Sequence, residues 1–212
     1  MKKLILIGGG GHCRSCIDVI QLENKYSIHG ILDGNIQKGT KIDGCPVLGT
    51  DELIDDCINN GYFFLITIGQ IKTAAPRKSI YSLLVQKSAN IATIVSPNAY
   101  VSKNANIRKG TIVLHGAIIN SGVMIGENSI INTHSTIEHD AKIGHHTHVS
   151  TGAIVNGTCT IGNESFIGSQ SVILNNINIS DKIIVGAGSL VNRDLENPGT
   201  YFGNPAMYKN GK

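Results

Sequence analysis

From Val95 to Val191 every sixth residue is valine or isoleucine, seventeen times without a break. A period of six fits neither an α-helix nor an ordinary strand, and sustained periods of this kind mark solenoids. Four residues after each of these, as far as Ser171, stands a small or compact residue: Ala99, Ala105, Thr111, Ala117, Val123, Ser129, Ser135, Ala141, Thr147, Ala153, Cys159, Ser165 and Ser171. The pattern predicts one short strand and one corner per hexad. The branched residue points inward and the small one lets the corner close. Three hexads make a triangular coil, and successive coils stack as parallel strands.

The residue before each inward aliphatic points outward, so the outward residues sort into three faces. One face reads Ile94, Ile112, Ile130, His148, Phe166, Ile184, and a second reads Tyr100, Ile118, Thr136, Ile154, Val172, Leu190. The third, Asn106, Met124, Lys142, Thr160, Asn178, is polar. A soluble monomer does not expose two long apolar faces. Packing about a three-fold axis covers both, so a homotrimer is expected. The alternative is that the N-terminal domain folds back over one of them.

Residues 1–90 lack the beat and read as alternating strand and helix, which predicts a small Rossmann-like α/β domain with a parallel sheet. Strands are expected at Lys3–Ile7, Ser27–Leu32 and Tyr62–Ile68. Helices are expected at Arg14–Leu22, from a cap at Thr50 or Asp51 through Ile58, and from Pro76 to about Lys87. The solenoid occupies 91–195, and a tail over 196–212 is expected to cap its last coil, because an open sheet end invites aggregation. Aromatics make up only 5% of the chain and tryptophan is absent, as suits a core of stacked isoleucine and valine. A net charge of +3 with scattered basic residues excludes a nucleic-acid face. The apolar run Leu4–Ile7 is too short for a signal sequence or a membrane span. Five cysteines without framework spacing indicate a reducing cytoplasm.

Gly8-Gly9-Gly10-Gly11-His12 follows a strand and opens a helix, a place where backbone N–H groups attract phosphate. Asp33 ends the second strand, where a carboxylate bonds a ribose hydroxyl. Cys13 stands where the last glycine of a full fingerprint would be. Of eight histidines, five lie between His134 and His148. Cys13-x-x-Cys16 lacks a second ligand pair, and no Cys lies at ligand spacing near the histidines, so no metal is expected. His139 is set apart by Glu138 and Asp140 on either side. A carboxylate beside an imidazole orients the ring and strengthens it as a base.

The hexads, Gly8–His12, Ile137-Glu138-His139-Asp140, His148-Val149-Ser150 and Gly203-Asn204-Pro205-Ala206 together resemble the hexapeptide-repeat sugar acetyltransferases. The branch resembled is that of the bacillosamine N-acetyltransferases and sialic acid O-acetyltransferases, over essentially the whole chain. The resemblance implies a left-handed parallel β-helix after the α/β domain, and a cytoplasmic homotrimer that binds acetyl-CoA between neighbouring β-helices. It implies His139 as general base and Asp140 as the residue that increases its basicity, where the family usually has Glu. His148, Gly157, Ser169 and Ala187 match positions lining the coenzyme. Gly10, Gly11, His12, Asp33, Gly34 and Gly69 match nucleotide-sugar contacts, although Gly34 replaces the second Asp of the bacillosamine type. His139 and Gly157 differ by eighteen and share one column, while Ser169 and Ala187 share another. One coenzyme touching both columns is easiest to arrange across two subunits.

The expected activity is therefore acetyl transfer from acetyl-CoA to the amine of a UDP-linked deoxysugar in bacterial surface-glycan synthesis. O-acetylation of sialic acid is the rival, favoured by the run Tyr62–Gly69 followed by Arg77. A trimeric scaffold without catalysis is the other.

Overall fold

The structure, a computed structural model, describes residues 1–209; of the tail expected over 196–212, residues 210–212 lie outside the described residues. The α/β domain runs β1 (Lys2–Ile7), α1 (Gly11–Glu23), β2 (Tyr26–Leu32), β3 (Lys41–Ile42), β4 (Cys45–Gly49), a 3-10 turn (Asp51–Leu53), α2 (Ile54–Asn59), β5 (Phe63–Ile66), α3 (Ala75–Gln86) and β6 (Asn90–Ile91). The sheet order is β3-β4-β2-β1-β5-β6, parallel except for the β3–β4 hairpin. β1 is central and its Leu4–Ile7 run is buried on both sides, as expected of a continuous apolar strand covered by helices.

Cys13, Cys16, Ile17 and Ile20 fall on one face of α1 and pack with Ile94, Ile112 and Leu114 of the solenoid. Pro76 sits in the first turn of α3, and the Thr50 hydroxyl accepts the Glu52 N–H at the 3-10 turn. The sequence reading omits the β3–β4 hairpin, although Asp43-Gly44 signals it. Both residues have positive φ, 44° and 84°, as a two-residue I′ turn needs.

Residues from Ile94 onward form a left-handed parallel β-helix of two-residue strands. Each strand pairs with the one eighteen residues away, Ile112 with Ile94 and Ile130, and three sheets form the three faces. The hexad residues from Val113 to Val191 are buried. Small residues close the corners, and hydroxyls there have partners. Thr111, Ser129 and Thr147 each donate 2.8 Å to a carbonyl fifteen residues on, at Gly126, Gly144 and Gly162. Every sixth residue from Gly110 to Gly188 adopts left-handed φ, glycine or not, so one such residue turns each corner. Gly199–Phe202 adds in parallel to Ile183–Val185, and Met207–Tyr208 closes antiparallel on it.

The first outward face is not free. Ile94, Ile112 and Ile130 are 0% exposed, and Ile94 and Ile112 share a buried cluster with α1 and Leu65 of β5. The expectation of two open apolar faces is thus corrected to one. On the second face Tyr100, Ile118 and Ile154 remain exposed, while the third presents Asn106, Lys142, Thr160 and Asn178 to solvent. Among the described residues no helix is long and apolar enough to cross a membrane.

Candidate functional site

A cleft of about 790 Å³ opens at the carboxyl ends of β1, β2 and β5, the usual ligand position in such sheets. Gly10, Gly11, His12, Asp33, Gly34 and Gly69 all line it. Gly8 is needed by the fold: it has φ +100°, and a Cβ there would lie 2.5 Å from Ile68. Gly10, Gly11 and Gly34 differ, since a Cβ on any of them would meet nothing within 4 Å. They border open space. Gly10 caps α1 without a side-chain bond, which leaves the leading N–H groups of that helix toward the cleft.

Asp33 is anchored by its own domain. Its Oδ2 accepts the Gly9 N–H at 2.7 Å and its Oδ1 the Asn35 N–H at 2.8 Å, leaving lone pairs on both oxygens. The partly buried His12 ring lies 3.6 Å from Cys16 Sγ. Burial, the Arg77 charge and His148 push its pKa down to about 3, so it is neutral.

Beneath this cleft lies the junction with the β-helix. Arg77 of α3 is fully buried, donating at 2.7 Å to the carbonyls of Ile66 and Ile68 and at 2.7 Å to Asn128 Oδ1. Gln70 donates 3.1 Å to the Ser165 carbonyl, and its own carbonyl receives His148 Nδ1 at 2.6 Å. Asn132 Nδ2 meets His148 Nε2 at 3.0 Å. His148, expected at the coenzyme, is held here by both ring nitrogens. The ring is 6% exposed and both nitrogens have partners, so it ties the cleft loop to the solenoid. Burial lowers its pKa to about 4, with the Gln70 bond opposing and Arg77 assisting. No local sequence signal distinguishes such a histidine from an exposed one.

His139 occupies the corner between the second and third faces, after Thr136–Ile137 and before Lys142–Ile143. That corner is opposite the face covered by the α/β domain, and His139 does not line the cleft. Its side chain is 59% exposed, and its Nδ1 lies 3.0 Å from Asp140 Oδ2. This bond leaves Nε2 as the free, basic nitrogen. The shorter carboxylate reaches because Asp140 is a left-handed corner residue, φ 60°, a conformation Asp tolerates. Glu138 plays no part in that pair, as its Oε2 accepts from Asn120 at 2.8 Å.

Two glycines make room for the pair. A Cβ on Gly157 would lie 2.6 Å from His139 Nε2, and one on Gly122 would lie 2.3 Å from Asp140 Oδ1. Gly157, expected as a coenzyme contact, is first the floor under the imidazole; Gly122 was not singled out by sequence. Gly157→Ala is expected to displace the ring and cut turnover roughly 10- to 100-fold with an unchanged melting temperature, measurable by steady-state kinetics beside a thermal scan. Ser169 and Ala187 lie on the corner between the first and second faces, where Ser169 Oγ contacts Ser150 Oγ at 2.9 Å and Ala187 is exposed. The His139 and Ser169 columns therefore flank the second, apolar face. Among the described residues no three His, Cys, Asp or Glu side chains gather as a metal site.

Residues 3–84 match the model of the PglD N-terminal domain. No curated protein sequence matches the chain. Among solved structures, the chain is similar to PerB from Caulobacter crescentus in complex with CoA and GDP-perosamine. Identity is 25%, TM-score 0.92, and coverage 99% of this chain and 98% of that one. It is also similar to the acetyltransferase domain of PglB from Neisseria gonorrhoeae in complex with acetyl coenzyme A. There identity is 27%, TM-score 0.91, and coverage 98% and 99%. WeeI from Acinetobacter baumannii shares the fold at 23% identity, TM-score 0.86, over 99% of this chain and all of that one. Residues 3–84 thus carry the PglD N-terminal domain, and the full length is built like these solved sugar acetyltransferases.

Proposed function

We propose that the protein transfers an acetyl group from acetyl-CoA to the amine of a nucleotide-linked deoxysugar, acting as a cytoplasmic homotrimer in surface-glycan synthesis. The observation that carries this reading is the His139–Asp140 pair, bonded at 3.0 Å and given room by Gly122 and Gly157. Asp140 holds the Nδ1 proton. Nε2 takes the proton from the amine as its nitrogen attacks the thioester carbonyl. The C–S bond then breaks, and coenzyme A leaves as a thiol carrying the proton back from Nε2. No covalent enzyme intermediate is needed, so the five cysteines, all free and buried, have no part.

Placement supports the trimer. The sugar cleft lies over the first face and His139 stands at the opposite corner, so one chain does not bring acceptor and base together. A neighbour packed on the exposed apolar second face, flanked by the His139 and Ser169 columns, supplies the missing half. The same packing leaves Gly157, Ser169 and Ala187 for the coenzyme across the interface. The nucleotide reading is supported by Asp33 and the glycine turn, which a free sialic acid does not require.

Thiol release from acetyl-CoA, followed with a thiol reagent, tests this. Release with a nucleotide-linked amino sugar is expected, together with a trimer by sedimentation. Release with free sialic acid alone points to O-acetylation, and a monomer or no release removes the proposal.

A further inference from the structure

The cleft holds a second carboxylate that the sequence motifs do not mark. Asp51 begins the 3-10 turn after β4 and lines the same cleft as Asp33. The two are brought together by sheet order: β2 and β4 are neighbours, and the Asp33 N–H donates to the Gly49 carbonyl at 2.9 Å. The carboxyl of Asp51 stands above its ordinary range, first through burial and then through the negative charge of Asp33, which places the two groups in one field. Their bonding differs. Asp33 already accepts two backbone N–H groups, whereas Asp51 accepts the Ile54 N–H only through its backbone carbonyl, and its exposed carboxylate has no hydrogen-bond or ion-pair partner among the described residues.

We infer, resting on the nucleotide-sugar reading above, that Asp51 contacts the nucleobase and selects guanosine over uridine. The electrostatics divide the cleft. A diphosphate is drawn to the uncapped N-terminus of α1 beside Gly10 and Gly11 and kept from the carboxylates. The nucleoside is left with the Asp33–Asp51 side, where neutral donors are favoured. The spare lone pairs of Asp33 suit a ribose hydroxyl. Asp51 then meets the base. Guanine offers a ring N–H and an amino group side by side, and a carboxylate accepts both at once. Uracil offers one N–H between two carbonyl oxygens, which a carboxylate repels.

Equilibrium binding of GDP and of UDP to the full-length protein and to Asp51→Asn, measured by calorimetry, tests the assignment. GDP is expected to bind the natural protein more tightly than UDP. Asp51→Asn is expected to weaken GDP roughly 10- to 100-fold, the discrimination of a good bidentate pair, while UDP affinity is kept and reports an intact cleft. Equal weakening of both nucleotides assigns Asp51 to the ribose and overturns the inference. A natural preference for UDP, or unchanged GDP affinity in the variant, overturns it as well. Failure of the natural protein to bind either nucleotide removes the nucleotide-sugar reading itself, a result separate from the others.

Discussion

His139→Ala is expected to lose on the order of 10²–10⁴-fold in turnover, the usual worth of a positioned general base, while the proposed trimer and its coenzyme affinity persist. The ring is exposed and bonds only Asp140, so its removal opens space above Gly157 without unsatisfying any buried group. The backbone seat is independent of it: Thr158 N–H donates to the His139 carbonyl and Asp140 N–H to the Ser121 carbonyl. Steady-state kinetics with coenzyme binding measured in parallel check this. Near-natural turnover in the variant removes His139 from catalysis. Asp140→Asn keeps the shape but not the charge that holds the Nδ1 proton, and a smaller loss, roughly 10-fold, is expected there.

Mild acid is expected to destabilise the protein at the junction between its two parts. His12 and His148 are held neutral in the fold, at about 3 and about 4, chiefly by burial, whereas an unfolded histidine titrates near 6.5. Between those values the unfolded chain binds more protons than the native one. Their contribution is complete above about pH 6.5 and falls as pH drops toward the native values. From pH 7 to pH 5 each costs about 2 kcal/mol. Guanidinium unfolding at the two pH values measures the loss. His148→Asn, whose amide can still donate to Gln70, is expected to remove less than half of the pH dependence, because His146 is also held down to about 4. Equal stability of the natural protein at both pH values contradicts the account.

The solenoid is legible because each inward valine or isoleucine touches its equivalent eighteen residues away, so one environment repeats and so does its residue type. The left-handed corner is far less legible. Asn128, His134, Asp140, Thr158, Glu164, Gln170 and Lys182 all occupy it, since a solvent-facing turn of positive φ constrains the backbone more than the side chain. The faces show the same limit. Ile94 and Ile112 announce burial, but not that α1 rather than a second subunit covers them. The cleft glycines follow from a local strand-to-helix motif and were found. Asp51 belongs to a different element and reaches Asp33 only through the pairing of β2 with β4. The burial of His148 is hidden for a related reason: its partners, Gln70 and Asn132, come from other elements.

The repeated left-handed corner also makes the β-helix a ruler graduated in single steps. Adding or removing eighteen residues lifts everything beyond by one strand spacing, roughly 4.8 Å, without rotating it. Any other change of length before His139 turns its corner away from its present side of the prism. The distance available to the coenzyme arm and the acceptor sugar can thus be retuned over evolutionary time only in whole coils.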